Sequence, residues 1–417
     1  MNIRQSLLWL LVLFLAASPS FGQAAAKPAF DVEKATRAYL DRMPPDKKAQ
    51  SDAYFEGGYW LQLWDFLYSA TVAVCLLQTG LSSKIRFWVE RCTRFKPLQT
   101  GLYGMIYILL TTIIALPLML YEGYFREHQY GLSNQNFGGW AQEWAIGLAV
   151  NVVFGALLFM ALFGIVRKLP RTWHLWGATV MCAFLVVAIA ISPVFIAPLF
   201  NKYTVLQDAK VVDPILRLAR ANGIAADKVY EVDASKQSKR VSANVSGFLG
   251  TMRITLNDNL LNRSSLPEIQ AVMGHEMGHY VMNHVFKMIL FFGIVIVVGF
   301  FALRWSLEKL LARFASRWGI TGIGDVAVTP LAVVLFTAYL FILTPFITSY
   351  VRMQEAEADM FGLNAARQPD GFAEAALKLG EYRKMEPGPV EEWIFFDHPS
   401  GATRIRTAMR WKAENLP

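Results

Sequence analysis

Charged side chains are scarce in this chain: Asp, Glu, Lys and Arg make up 17% of its 417 residues, against 54% hydrophobic. That balance excludes an ordinary soluble domain, where about a quarter of residues carry charge, and reads as a membrane protein. Cysteine is scarcer still, with Cys75, Cys92 and Cys182 as the whole complement. Two of these fall in apolar stretches and one in a basic loop, so no disulfide framework is implied and no thiol is at hand for a metal site. Internal repeats, low-complexity tracts and phosphate-cradling glycine loops are all missing. The net charge of +8 needs no nucleic acid, because basic loops beside apolar spans account for most of it.

What is abundant is apolar length. Six internal stretches reach the roughly 20 residues needed to cross a bilayer: 59 to 81, 101 to 121, 144 to 166, 173 to 199, 286 to 304 and 327 to 348. A seventh run, Leu7 to Ala17, follows Arg4 and precedes small residues, the layout of a signal peptide within residues 1–25, with an uncleaved first anchor as the alternative. The chain then divides into a four-span membrane part, 26–199, and a second part, 200–417, holding the last two spans.

Three basic clusters alternate with the spans. Lys84, Arg86, Arg91, Arg94 and Lys96 lie between the first pair, Arg167, Lys168 and Arg171 between the next, and Arg304, Lys309, Arg313 and Arg317 between the last. The positive-inside rule assigns all three to the cytoplasmic face. Residues 121–143, 200–287 and the C-terminal part then face outward, into a periplasm if the membrane is a bacterial inner membrane; a cytosolic-facing catalytic part is the alternative.

The chemistry sits in His275-Glu276-Met277-Gly278-His279. Ser265-Leu266-Pro267-Glu268 is a capping-box start, so the spacing predicts a helix from about Leu266 through the motif. On a helix, His275 and His279 share one face and can hold one zinc ion, while Glu276 points where a water on that ion would sit. A third ligand is needed. Glu355 and Asp359 repeat the i, i+4 spacing, so Glu355 could ligate while Asp359 orients a ligand histidine from behind; a solvated acidic face is the competing reading at this point. Glu357 lies on another side of that helix.

Between the spans, residues 200–287 read as a small α/β insert. Asp213 to Ala221 has helical spacing, while Lys228 to Val232 and Arg253 to Leu256 read as short strands. Asn222-Gly223 and Ser246-Gly247 mark turns.

The chain resembles integral-membrane zinc endopeptidases of the CAAX prenyl protease 1 class, which process isoprenylated proteins and the yeast a-factor precursor. The resemblance is carried in order by Glu127-His128-Gln129-Tyr130-Gly131-Leu132-Ser133-Asn134-Gln135, by 196–204 (IAPLFNKYT) and by 228–236 (KVYEVDASK). It continues through Ala243-Asn244-Val245, the 275–279 motif, Glu355 to Asp359, and Asp397-His398-Pro399-Ser400 with Arg404-Ile405.

The resemblance implies a mainly α fold, a polytopic helical barrel of seven membrane helices around a large chamber, closed by a small zincin-like α/β domain. It implies one Zn2+ per chain on His275, His279 and Glu355, with Glu276 as general base. His398 and Arg404 would stabilise the oxyanion or hold substrate, and Ala243, Asn244 and Val245 would form an edge strand that pairs with extended peptide. His284 and His174 read as structural. Two features depart from the family: the charge pattern puts the catalytic part outside rather than in the cytosol, and 242–248 lacks the aromatic that commonly follows the Asn-Ala pair. An envelope quality-control protease without prenyl dependence is therefore the alternative enzyme, and a transporter or scaffold with a relict metal site the alternative of another class.

Overall fold

The computed structural model describes residues 30–246 and 252–416. The N-terminal apolar run, Gly247 and Phe248 lie outside them.

Six helices are long and apolar enough to cross a membrane: Pro45–Gln78, Lys96–Gln129, Phe137–Lys168, Trp173–Leu199, His284–Trp318 and Val326–Ala366. Each apolar stretch read from the sequence lies largely inside one of them, but the helices overrun the stretches. Hydropathy marks where lipid contact ends, not where the i to i−4 hydrogen bonds end. The first helix starts at Pro45 rather than near 59, and ends at Gln78, where Gly80 (φ 66°) turns the chain. The fifth runs on to Trp318, so Arg304, Lys309, Arg313 and Arg317 ride on its last turns instead of in a loop. In the last, Thr329–Ala366 is one α-helix through Pro345, well past residue 348.

The basic segments meet at one end of this bundle. Ser82 Oγ donates to Ala327 O at 2.8 Å, Arg167 Nε to Gly324 O at 3.0 Å and Arg304 Nη1 to Arg171 O at 3.1 Å, while Arg86 and Asp325 form a buried ion pair. At the opposite end the loop after Gln129 is stitched to the α/β insert: Ser133 bridges Ser238, and Asn134 N donates to Gln237 O at 3.0 Å. Glu127 clips three segments together, accepting from Tyr54 at 2.6 Å and from Arg240 at 2.8 Å. Between the two ends, a cavity of about 720 Å³ in the membrane region is lined by residues of the first, fourth, fifth and last spans. Gln62, Asp65, Ser69, Thr337 and Thr344 face it, so the charge that interrupts the first span looks into protein rather than lipid.

The insert folds as a four-stranded sheet in the order β1-β2-β4-β3, with β1 Tyr203–Val205, β2 Val229–Val232, β3 Ala243–Ser246 and β4 Arg253–Asn257. β2 and β4 are parallel; β1 and β3 pair antiparallel with them. Helix Ala209–Ala221 and helix Leu266–Val281 pack on this sheet through Ile215, Ile254, Leu256, Met273 and Met277, all fully buried. That packing leaves β3 as an edge strand beside the 275–279 motif.

Candidate metal centre and active site

Helix Leu266–Val281 begins as the sequence predicts. Ser265 and Glu268 close a capping box, with Pro267 in the first turn, so the register of the motif is set two residues after the short helix Asp258–Arg263 ends. This helix crosses the end of Thr329–Ala366 at very short range, because glycines occupy the contact: a Cβ at Gly274 would lie 3.0 Å from Gly362 O, and one at Gly278 3.1 Å from Ala358 Cα. The crossing delivers Glu355 to the two histidines.

His275 Nε2 lies 3.1 Å from His279 Nε2 and 3.2 Å from Glu355 Oε2, and His279 Nε2 lies 3.5 Å from Glu355 Oε1. A tetrahedral ion with ligands at 2.0–2.1 Å sets its donors about 3.3 Å apart, which these separations match. The buried Glu355 Oε2 has no hydrogen-bond partner. An unsatisfied carboxylate oxygen facing two imidazole nitrogens is an arrangement that a cation completes, so these residues fit a metal ion.

The outer nitrogens of both histidines are held. His275 Nδ1 is 2.8 Å from Asp359 Oδ1, and Asp359 in turn accepts from Arg404 Nε at 2.9 Å and Nη2 at 2.5 Å. The carboxylate fixes which nitrogen of His275 faces the centre, and Arg404 neutralises the buried carboxylate. Arg404 lines the active-site cavity, yet two of its donors are taken by Asp359. His279 Nδ1 is 2.9 Å from His284 Nδ1, whose Nε2 lies 3.1 Å from Glu357 Oε2. His284 reads as structural from the sequence, and its place is behind His279: a left-handed Asn283 (φ 57°) breaks the chain between two helices and folds it back there. Glu357 stands outside the ligand set, bonded to Lys287 at 2.8 Å, while His174 is spent on Arg304 at 3.1 Å.

Glu276 looks into a cavity of about 170 Å³ together with His275, His398, Arg404 and the start of the edge strand. Burial raises its carboxyl above the ordinary range, the histidines opposing. His398 reaches the centre from the C-terminal segment: its Nε2 is 3.2 Å from Glu355 Oε2 and its Nδ1 2.8 Å from Asp397 Oδ1. Burial holds this imidazole below its ordinary value against the pull of Asp397. Asn244 is exposed on β3, between half-buried Ala243 and Val245.

Two family models account for most of the chain. Residues 32–202 match one described as CAAX prenyl protease N-terminal, five membrane helices, and residues 205–412 match peptidase family M48. The chain is 31% identical over 344 residues to the uncharacterized metalloprotease YhfN of Bacillus subtilis (strain 168), covering 82% of this chain and 80% of that one. The chain belongs to peptidase family M48. Within M48 it is also 32% identical over 183 residues to CAAX prenyl protease 1 of Saccharomyces cerevisiae, covering 44% of this chain and 40% of that one. Against the human CAAX prenyl protease 1 homolog, the match is 24% over 410 residues and spans 84% and 83%. The crystal structure of S. mikatae Ste24p superposes with a TM-score of 0.75 at 22% identity, covering 91% of this chain and 94% of that one, and shares the fold. This M48 member is a membrane-embedded metalloprotease: mainly helical, with a small protease domain on a helical membrane barrel.

Proposed function

We propose that the protein is a zinc endopeptidase in which His275, His279 and Glu355 hold a single ion and Glu276 acts as general base. The observation that carries this reading is the spacing of the two imidazole nitrogens from one another and from the Glu355 carboxylate oxygens, at 3.1–3.5 Å, beside a buried carboxyl that is not among them. When bound, the ion supplies Lewis acidity, lowering the pKa of a coordinated water and polarising the scissile carbonyl. Glu276 takes the proton of the attacking water and returns it to the leaving nitrogen. Asp359 and His284 keep the two ligand imidazoles in the required tautomers. His398 presents Nε2 to the oxygen on which negative charge develops. Arg404 acts through Asp359, and its remaining donor faces the same cavity. An extended peptide adds to the open edge of β3, where the backbone of Ala243, Asn244 and Val245 supplies hydrogen bonds.

For the substrate class we put lipid-anchored chains first. The relatives named CAAX prenyl proteases, and a cavity in the membrane region beneath the α/β insert, support a peptide whose apolar anchor rests in the bilayer. Cleavage of exported or membrane proteins without a prenyl group is the second reading. It is favoured by the placement of the protease domain at the end opposite the basic segments, which the positive-inside rule makes periplasmic in an inner membrane. Zinc-dependent cleavage of a farnesylated peptide beside its unprenylated twin separates the two. A strong preference for the farnesylated peptide supports the first, and equal rates the second. No cleavage of either by zinc-loaded protein counts against the peptidase mechanism.

A further inference from the structure

At the end of the bundle opposite the protease domain, two cavities of different character share a strip of wall. The first, of about 280 Å³, is apolar, with Phe159, Phe163, Trp173, Met181, Phe300 and Phe336 in its lining. The second, of about 440 Å³, carries Arg86, Lys96 and Arg167 together with Glu90 and Asp325. Val166 lines the first and Arg167 the second; Ile323 lines the first, and Gly322 and Gly324 on either side of it line the second. The Arg167 guanidinium lies 5.7 Å from the centre of the Phe163 ring, so one cation stands where the two spaces meet.

The charges of the polar cavity are unequally matched. Asp325 is saturated: Ala327 N donates to Oδ1 at 2.9 Å, Thr321 N and Oγ1 donate to Oδ2 at 2.8 and 3.0 Å, and Arg86 pairs with it. Glu90 faces Lys96 at 3.5 Å. Arg167 donates through Nε to Gly324 O at 3.0 Å and through Nη1 to Thr100 Oγ1 at 2.8 Å, both neutral acceptors, and has no ion pair among the described residues. Three cations against two carboxylates leave one positive charge, on a guanidinium that is braced in place with Nη2 uncommitted. A fixed fork of this kind suits a phosphate oxygen.

Depth in the bilayer orders the two spaces. Trp88, Phe95, Trp176 and Trp305 stand exposed around this end of the bundle, and Lys309 Nζ sits 3.8 Å from the Trp305 ring centre, the aromatic and basic belt of headgroup level. On the third span the apolar cavity reaches from Val166 back to Leu158, roughly 12 Å towards the hydrocarbon at 1.5 Å per residue. Val333 on its wall is 39% exposed, so the cavity opens sideways to lipid. A void with such walls takes an apolar guest rather than water, and a basic pocket between spans at headgroup level takes an acidic lipid head. One molecule satisfies both.

We propose that these two cavities form one binding site for an anionic phospholipid, with an acyl chain among the aromatic side chains and the phosphate on Arg167. The bound lipid ties the end of the third span to the 321–326 loop and braces the basic end of the bundle. The test uses the full-length protein, delipidated in detergent micelles, with bound lipid counted by native mass spectrometry and stability read by thermal melting. Dioleoyl phosphatidylglycerol should bind at one per chain, about tenfold more tightly than dioleoyl phosphatidylcholine, whose choline cancels the charge; tenfold is the scale of one charge-assisted interaction. It should also raise the melting temperature, and neither inorganic phosphate nor dioleoylglycerol should do so alone. Arg167→Gln should bind the two phospholipids alike, and Arg167→Lys, which keeps the charge without the fork, should recover part of the preference. Because Arg167 also holds Gly324 and Thr100, a second variant leaves it in place: Ala332→Phe fills the apolar cavity and should weaken phosphatidylglycerol binding at least about tenfold without lowering the lipid-free melting temperature. Equal affinity for both phospholipids in the parent protein, a preference that survives Arg167→Gln, or undiminished binding by Ala332→Phe overturns the site. Stabilisation by inorganic phosphate equal to that by phosphatidylglycerol would make it a free-anion site and overturns the lipid assignment.

Discussion

Gly362 presses against the backbone of His275: a Cβ on Gly362 would stand 2.7 Å from the His275 nitrogen and 3.0 Å from its Cα. The two helices that carry His275, His279 and Glu355 thus touch main chain to main chain, and there is no flexible side chain at the contact to give way. Gly362→Ala must push Glu355 and His275 apart. We expect a loss of about 1–3 kcal/mol in stability, the scale of overpacking, together with metal occupancy well below the parent protein. Metal analysis and thermal melting read both, and a Gly362→Ala protein with full occupancy would show that the crossing is not what sets the ligand spacing.

Glu276 is beside the donor atoms but not one of them, so its two possible roles separate cleanly. Glu276→Gln should keep the metal while turnover falls by at least about 10²-fold, the lower end of what general acid–base catalysis contributes. His279→Ala, by contrast, should empty the site. If both variants lose metal to the same extent, Glu276 is a ligand and the assignment fails.

On helix Thr329–Ala366, Glu355 faces the histidines and Glu357 faces His284 and Lys287. Glu355→Ala should remove the metal, and Glu357→Ala should leave its content close to the parent level. His284→Ala frees the outer nitrogen of His279 and should weaken metal affinity by about 10–100-fold, the usual effect of losing such a support. Competition with a chelator of known affinity measures all three. A Glu357→Ala protein that loses metal while Glu355→Ala keeps it would mean the helix presents the other face.

Much of this site was readable because helical spacing is short-range information. The i, i+4 pairs His275/His279 and Glu355/Asp359 and the capping box at Ser265 each need only one local rule, and the structure places them as expected. Three things escaped it. The last span continues as one helix from the membrane into the active site, and an apolar window cannot show that, because it ends where lipid ends. His284 lies five residues after His279, off the helical face that periodicity selects, and it returns only because Asn283 takes a left-handed turn. The glycine contact at Gly274, Gly278 and Gly362 depends on two helices far apart in the chain, with His275 and the Asp359 that supports it separated by 84 residues. The nearest sequence signal was a glycine inside the motif and another on the carboxylate helix, which only the crossing makes complementary.

The side of the membrane on which the protease domain lies is an expectation drawn from charge, and a native thiol tests it. The segments carrying Arg86, Arg167, Arg171 and Arg304 come together at one end of the bundle, and the protease domain is attached at the other. The positive-inside rule predicts that the first end is cytoplasmic, and a long domain such as the insert can be exported largely regardless of its own charge. Cys92 lies exposed at the basic end, and Lys210 lies exposed on helix Ala209–Ala221 of the insert. In a Cys75→Ala/Cys182→Ala background, a membrane-impermeant thiol reagent added to intact spheroplasts should leave Cys92 unlabelled. Lys210→Cys made in the same background should label without permeabilisation, at its new thiol alone. Permeabilised cells should label both positions. Labelling of Cys92 alone in intact spheroplasts would reverse the orientation, put the active site in the cytosol, and favour prenylated substrates over exported ones.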